Sequence, residues 1–139
     1  MEKNFSIFCD GGAIGNPGPA ASAFVAYQDE EVISKQAKKI GIATNNVAEY
    51  QAVIAALEWL KNQSNNQQFN NLTISFFLDS QLLVNQLNGF YKIKNHGLRL
   101  LVIKVKALEQ EVKGKIYYHH IPRTQNKLAD ALVKNALSG

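Results

Sequence analysis

Residues 46–62 read NVAEYQAVIAALEWLKN, and here the hydrophobic spacing of the chain changes. Tyr50, Val53, Ile54, Leu57 and Leu60 recur every three or four residues, which predicts an amphipathic helix over Asn46–Asn62. Thr44, Asn45 and Asn46 each carry a side chain able to cap its first turn. Upstream the period is two. Asn4–Asp10 places Phe5, Ile7 and Cys9 on one face, Ala20–Gln28 is apolar, Asp29-Glu30 is a tight turn, and Glu31–Lys39 returns as a third strand. Between the first two strands, Gly11–Pro19 holds four glycines and two prolines and reads as a loop. Downstream, Leu72–Leu78 is a buried-type strand, Ser80–Asn88 a short helix stopped by Gly89, and Leu98–Val112 a longer helix. Lys115–Ile121 is a strand and Asn126–Leu137 the last helix. The order is βββαβααβα. An opening antiparallel meander followed by alternating helices and strands predicts an α/β fold: a mixed five-stranded sheet with helices on both faces.

The chain has 139 residues, the length of a single domain spanning 1–139. A chain this long buries roughly 68–70% of its unfolded surface, so it needs no covalent staple. With 46% hydrophobic and 19% charged residues, the composition is globular rather than disordered. The single cysteine, Cys9, excludes an internal disulfide and a multi-cysteine zinc site. A reducing, cytoplasmic compartment is expected. No apolar run approaches the ~20 residues of a membrane span, and the first residues lack the apolar core of a secretory signal. The Asn/Gln-rich stretch Asn62–Asn71 reads as a polar surface loop.

The glycine loop does not match a phosphate cradle. Its glycines at 12, 15 and 18 precede a strand rather than a helix, and no Gly-Lys-Ser/Thr follows. The acids are more informative. Asp10 is placed at the end of the first strand, Glu49 in the first turn of the long helix, Asp79 after the fourth strand and Asp130 early in the last helix. Functional groups in α/β sheets gather where strands end and helices begin. Acids in a helix's first turn also complement its dipole, so Glu49 and Asp130 have an ordinary structural account as well. If the four ends meet, the carboxylates repel one another and their pKa values rise. Divalent cations relieve that repulsion, and oxygen-only ligands suit Mg²⁺ or Mn²⁺. Two such ions ~4 Å apart form the clamp for displacement at phosphorus. The chain as a whole carries +4; without these four acids the remainder carries +8, suited to a phosphate-rich partner.

Four segments in order resemble type 1 ribonuclease H across almost the whole chain: Asp10-Gly11-Gly12 with Gly15-Asn16-Pro17-Gly18-Pro19, Thr44-Asn45-Asn46-Val47-Ala48-Glu49-Tyr50, Leu78-Asp79-Ser80-Gln81, and Ile121-Pro122-Arg123 through Asp130. The resemblance implies endonucleolytic cleavage of the RNA strand of RNA–DNA hybrids, leaving 5′-phosphate and 3′-hydroxyl ends. It implies two Mg²⁺ ions, with Mn²⁺ as a substitute, held by Asp10, Glu49, Asp79 and Asp130. It also places Gly11, Asn16, Asn45, Asn46, Ser80 and Gln81 at the substrate, and Thr44 with Asn16 at a DNA phosphate. A monomer is expected.

Three features depart from the family's commonest pattern. The mobile loop histidine has no counterpart on the short segment before Asp130. Arg123 stands there and is assigned its role, while His119 and His120 read as strand residues. The tryptophan-bearing basic insertion is missing. The only Trp, Trp59, reads as core, and Lys92, Lys94, Arg99, Lys104 and Lys106 are the cations left to grip a hybrid or simply to be solvated. The first motif begins at residue 10, so no preceding hybrid-binding domain is expected. Two other functions fit the scaffold: a non-catalytic nucleic-acid binding module, which has no need of four carboxylates, and a nuclease with another task, such as a 3′–5′ exonuclease or one cutting double-stranded RNA.

Overall fold

The computed structural model describes residues 3–64, 72–90 and 92–139. The strands are β1 (Lys3–Ala13), β2 (Gly18–Gln28), β3 (Glu31–Ala43), β4 (Leu72–Leu78) and β5 (Lys115–His120). The helices are α1 (Asn45–Ser64), α2 (Gln81–Leu87), α3 (His96–Glu111) and α4 (Lys127–Ser138), with a single 3-10 turn at Arg123–Gln125. The sheet order is β3-β2-β1-β4-β5. β1, β2 and β3 pair antiparallel, and β1–β4 and β4–β5 pair parallel. This is the mixed five-stranded sheet expected from the sequence, with helices on both faces.

The two faces explain the sequence patterns. Phe5, Ile7 and Cys9 of β1 and Leu72, Ile74, Phe76 and Leu78 of β4 join Phe24 and Ala26 of β2 under α1, α2 and α3. On the other face, Ala21 and Ala23 of β2 pack against Val133 of α4. The strand β2 is therefore covered twice, which is why Ala20–Ala26 is buried throughout instead of alternating. Helix α1 also differs from the simple amphipathic reading. It lies between the sheet and α3, so residues around much of its circumference are buried, from Ala48 and Tyr50 through Ile54, Ala56 and Leu60. Trp59 packs against this core, 6.0 Å from the rings of both Phe5 and Phe24, as expected.

Several boundaries move. The expected loop Gly11–Pro19 shrinks to Ile14–Pro17, because Gly11–Ala13 continue β1 and pair with Ala20–Ser22. β3 runs four residues past Lys39, with Gly41 at positive φ and Ile40 as the extra residue opposite Ala20 and Ala21 of β2. The polar stretch begins as helix: Asn62–Ser64 complete α1, and residues 65–71 lie outside the described residues. α3 starts at His96, two residues earlier than expected, because the Asn95 side chain accepts from Leu98 N at 3.0 Å. Among the described residues no helix is long and apolar enough to cross a membrane.

Candidate active site

Each functional side chain is aimed by a local feature. Asp10 lies three residues before the end of β1, not at it. β4 pairs with β1 only as far as Phe8–Phe77, so Asp10 stands where β1 outruns its parallel neighbour. Asp79 follows the last residue of β4. Glu49 is the fifth residue of α1, past the first turn where the sequence reading placed it. The helix dipole thus does not account for it, because that effect fades beyond the first turn. Asp130 is in the first turn of α4.

Gly11 brings β1 and α1 together. A Cβ on Gly11 would lie 2.3 Å from the carbonyl carbon of Ala48 and 2.4 Å from Glu49 N. Backbone touches backbone there, and that contact sets Glu49 beside Asp10. The helix is capped by Thr44, whose Oγ1 accepts from Val47 N at 3.2 Å. Asn45 does a different job. Its Oδ1 accepts from Ala13 N at 2.8 Å, and its own N–H donates to Asn16 Oδ1 at 3.0 Å, tying the glycine turn to the helix.

Asp10, Glu49, Asp79 and Asp130 line one cleft of about 610 Å³, together with Gly11, Asn45, Ser80, Arg123 and Lys134. Their electrostatics report the convergence. Burial, then the charges of Asp79 and Asp130, push the Asp10 carboxyl up to about 7, against a hydrogen bond from the Gly11 N–H and the Arg123 charge. Burial, then Asp79 and Asp10, push Glu49 up to about 8, against the Ser80 hydroxyl and Arg123. Lys134 Nζ lies 2.9 Å from Asp130 Oδ2, and Arg123 Nη2 lies 3.9 Å from its Oδ1. Among the described residues no three acidic, histidine or cysteine side chains close to metal-binding distance of one point. The donor chemistry still fits hard divalent cations: oxygen atoms only, in a cleft where like charges are opposed by two peripheral cations.

Of the other residues singled out in the sequence, Asn16 is exposed in the turn, Gln81 is the exposed first residue of α2, and Asn46 is half-buried in the first turn of α1. Ser80 caps α2, accepting from Leu83 N at 3.2 Å. His119 and His120 are exposed strand residues. Among the five cations considered for grip, Lys106 is engaged elsewhere. It donates to Leu87 O at 2.8 Å, reaches Glu109 at 3.3 Å and lies over the Tyr118 ring.

Two residues escaped the sequence reading. Lys134 follows Asp130 by four positions, a helical pairing that spacing could have revealed. Asn126 could not have been found that way. It occupies the N-cap position of α4 without capping it. Instead its buried amide donates to Cys9 O at 2.8 Å and to Asp79 Oδ2 at 3.1 Å, linking β1, β4 and α4. Its Oδ1 is buried with no hydrogen-bond partner among the described residues. Asn126→Ala is expected to destabilise the fold by about 1–3 kcal/mol, since it strands the Cys9 carbonyl. A urea titration with an unchanged midpoint would refute that role.

Residues 8–136 match the family profile described as reverse transcriptase-like. The chain is 31% identical to a ribonuclease H of Helicobacter acinonychis over 142 residues, covering 95% of this chain and 92% of that protein. The chain belongs to the type 1 ribonuclease H family. Among solved family structures, LC11-RNase H1 in complex with an RNA/DNA hybrid superposes with a TM-score of 0.91 at 36% identity, covering 96% of each chain. A bifunctional protein of Mycobacterium tuberculosis is 35% identical over 133 residues, and this chain spans only 35% of its length. In the family context, the carboxylate cleft at the ends of β1 and β4 is the candidate active site.

Proposed function

We propose that this chain is an endoribonuclease that hydrolyses the RNA strand of RNA–DNA hybrids, leaving 5′-phosphate and 3′-hydroxyl ends. The observation that carries the reading is the meeting of Asp10, Glu49, Asp79 and Asp130 in one cleft. The similarity to a structure holding an RNA/DNA hybrid supports the substrate. Two Mg²⁺ ions, or Mn²⁺ in their place, would supply an ionised water near neutral pH and a counter-charge for the departing 3′-oxygen. Asp10, Glu49, Asp79 and Asp130 would hold them. Asn126 restrains one oxygen of Asp79, which lines the cleft. Arg123, exposed on the cleft lining, would meet a phosphate oxygen of the bound strand. Asn16 and Asn45, joined to each other, and Gly11, Thr44, Asn46, Ser80 and Gln81 border the path of the strands, where the 2′-OH distinguishes RNA from DNA.

The test is one labelled sequence presented as hybrid, duplex RNA, duplex DNA and single-stranded RNA, with Mg²⁺, Mn²⁺ or EDTA. Internal cuts in the hybrid's RNA strand, abolished by EDTA, are expected. Binding of hybrid without cleavage of any substrate would replace this reading with a non-catalytic module, and preferential cutting of duplex RNA would change the substrate. Arg123→Ala is expected to lower turnover about 10–100-fold, since a charge-assisted contact to phosphate is worth about 1.5–3 kcal/mol. His120→Ala, outside the cleft, should leave it unchanged. The opposite ranking in single-turnover assays would return the loop role to the histidine.

A further inference from the structure

The face of the sheet that carries α4 has a second surface beyond the cleft. Helix α4 lies over β2 and its neighbours β1 and β3. Beyond it, aromatic rings run across the strands. Tyr27 meets Phe8 edge-on at 5.6 Å, Phe8 stacks on Phe77 at 4.9 Å, and Phe77 stacks on His119 at 5.3 Å. Tyr117 follows at 6.4 Å from His119. Phe8 and Phe77 are half-buried, whereas His119 and Tyr117 are exposed on β5, the edge of the sheet. The run of rings therefore ends on edge-strand side chains open to solvent.

The register supplies the rest of the surface. Ser6 pairs with both Tyr27 and Ser75, and Ser75 pairs with Tyr117, so half-buried hydroxyls separate the two tyrosines. Lys35 pairs with Val25 in the Phe8 row, and Lys115 pairs with Thr73 at the far end of the same face. A cavity of about 190 Å³ opens between Phe8, Tyr27 and the start of α4, with Lys127 on its wall. Lys35, Lys115 and Lys127 are exposed and have no carboxylate partner among the described residues. The alternate rows of Phe8, Ser6 and Asn4, which share this face, contain no Asp or Glu among their paired residues; Glu31 belongs to the intervening Phe5 row.

We propose that this aromatic, lysine-rimmed sheet face binds single-stranded nucleic acid, with bases extending the ring stack at His119 and Tyr117 and phosphates meeting the lysines. Charge complementarity selects the occupant: the paired positions of this face offer exposed lysines to a polyanion, and the acids Asp29, Glu30 and Glu31 are confined to the turn end of β2 and β3. Rings interleaved with cations form the usual platform for unpaired bases. A protein partner fits less well, because lysine is depleted from protein interfaces. The surface is separate from the carboxylate cleft, and the inference holds whether or not that cleft cleaves hybrid.

The test is fluorescence anisotropy of labelled oligo-uridine and oligo-thymidine in EDTA at low salt, for the wild-type chain and a Tyr117→Ala/His119→Ala double variant. Affinity should fall about tenfold or more in the variant, from lost base stacking. Photocrosslinking of an iodouracil oligonucleotide should map to Tyr117 or His119. Cleavage of a blunt hybrid serves as the control for folding and for the cleft, and it should be unaffected. Unchanged oligonucleotide affinity, or crosslinks confined to the carboxylate cleft, would overturn the proposal. Equal loss of affinity for a poly-glutamate peptide would also overturn it, since the face would then bind any polyanion without stacking.

Discussion

Asp10→Asn is expected to abolish hybrid cleavage while making the metal-free protein more stable at alkaline pH. The two effects share one cause. Asp10 is buried among like charges, and its carboxyl is pushed up to about 7. Glu49 is pushed up to about 8 by the same surroundings. In the unfolded chain both ionise near pH 4. Below that pH neither state is favoured by these groups. As pH rises from there through 7 and 8, the folded chain holds protons the unfolded chain has released, so folding stability declines. Without divalent cations, the wild-type melting temperature should be lower at pH 8.5 than at pH 5.5, by about 5 °C or more for a domain of this size. Asp10→Asn removes one charge from the cluster and should narrow that gap, and Mg²⁺ should narrow it for the wild type but less for the variant. Turnover should fall by more than about 100-fold, because even partners one step removed from a metal cost 10–100-fold. Near-normal cleavage by Asp10→Asn would remove Asp10 from the site. A pH-independent melting temperature would show that the cluster is not strained.

Gly11→Ala should destabilise the fold strongly and displace Glu49. Its new methyl group would lie 2.3–2.5 Å from three backbone atoms of Ala48 and Glu49. No side chain can rotate away, so α1 must shift off β1 and carry Glu49 with it. Overpacking of this kind costs about 1–3 kcal/mol, and a backbone-on-backbone clash belongs at or beyond the upper end. The adjacent Gly12→Ala is the control. Its methyl would meet only Val133 Cγ1, at the ordinary distance of 3.5 Å. Denaturant titrations should therefore separate two neighbouring glycines by about 2 kcal/mol or more. Equal midpoints would mean that α1 does not rest on Gly11.

These two substitutions also show where sequence stops being informative. Helices and strands are local: a 3.6-residue period at Tyr50, Val53 and Leu57, or alternation at Phe5, Ile7 and Cys9, is set by the geometry of the nearby backbone. Element order, the mixed sheet and the positions of the four acids near element ends were thus legible residue by residue. The segment Gly11–Pro19 was misread because glycine has two uses that look alike in sequence, a turn and a close approach. Only the packing of α1 on β1 shows that Gly11 serves the second. Helix α1 reads as one-sided in sequence, yet α3 covers its other side, and no local pattern records a partner some forty residues away. The assignment of side chains to tasks is likewise tertiary. Asn126 is a natural N-cap by type, but its amide finds the Cys9 carbonyl and Asp79 instead. Thr44 and Asn45 look interchangeable as caps until the glycine turn claims Asn45. Chain identity dictates what each segment can form. Which carboxylates repel, which amides restrain them and which aromatic face stays open depend on distances between segments far apart in sequence, and those distances exist only once the core has packed.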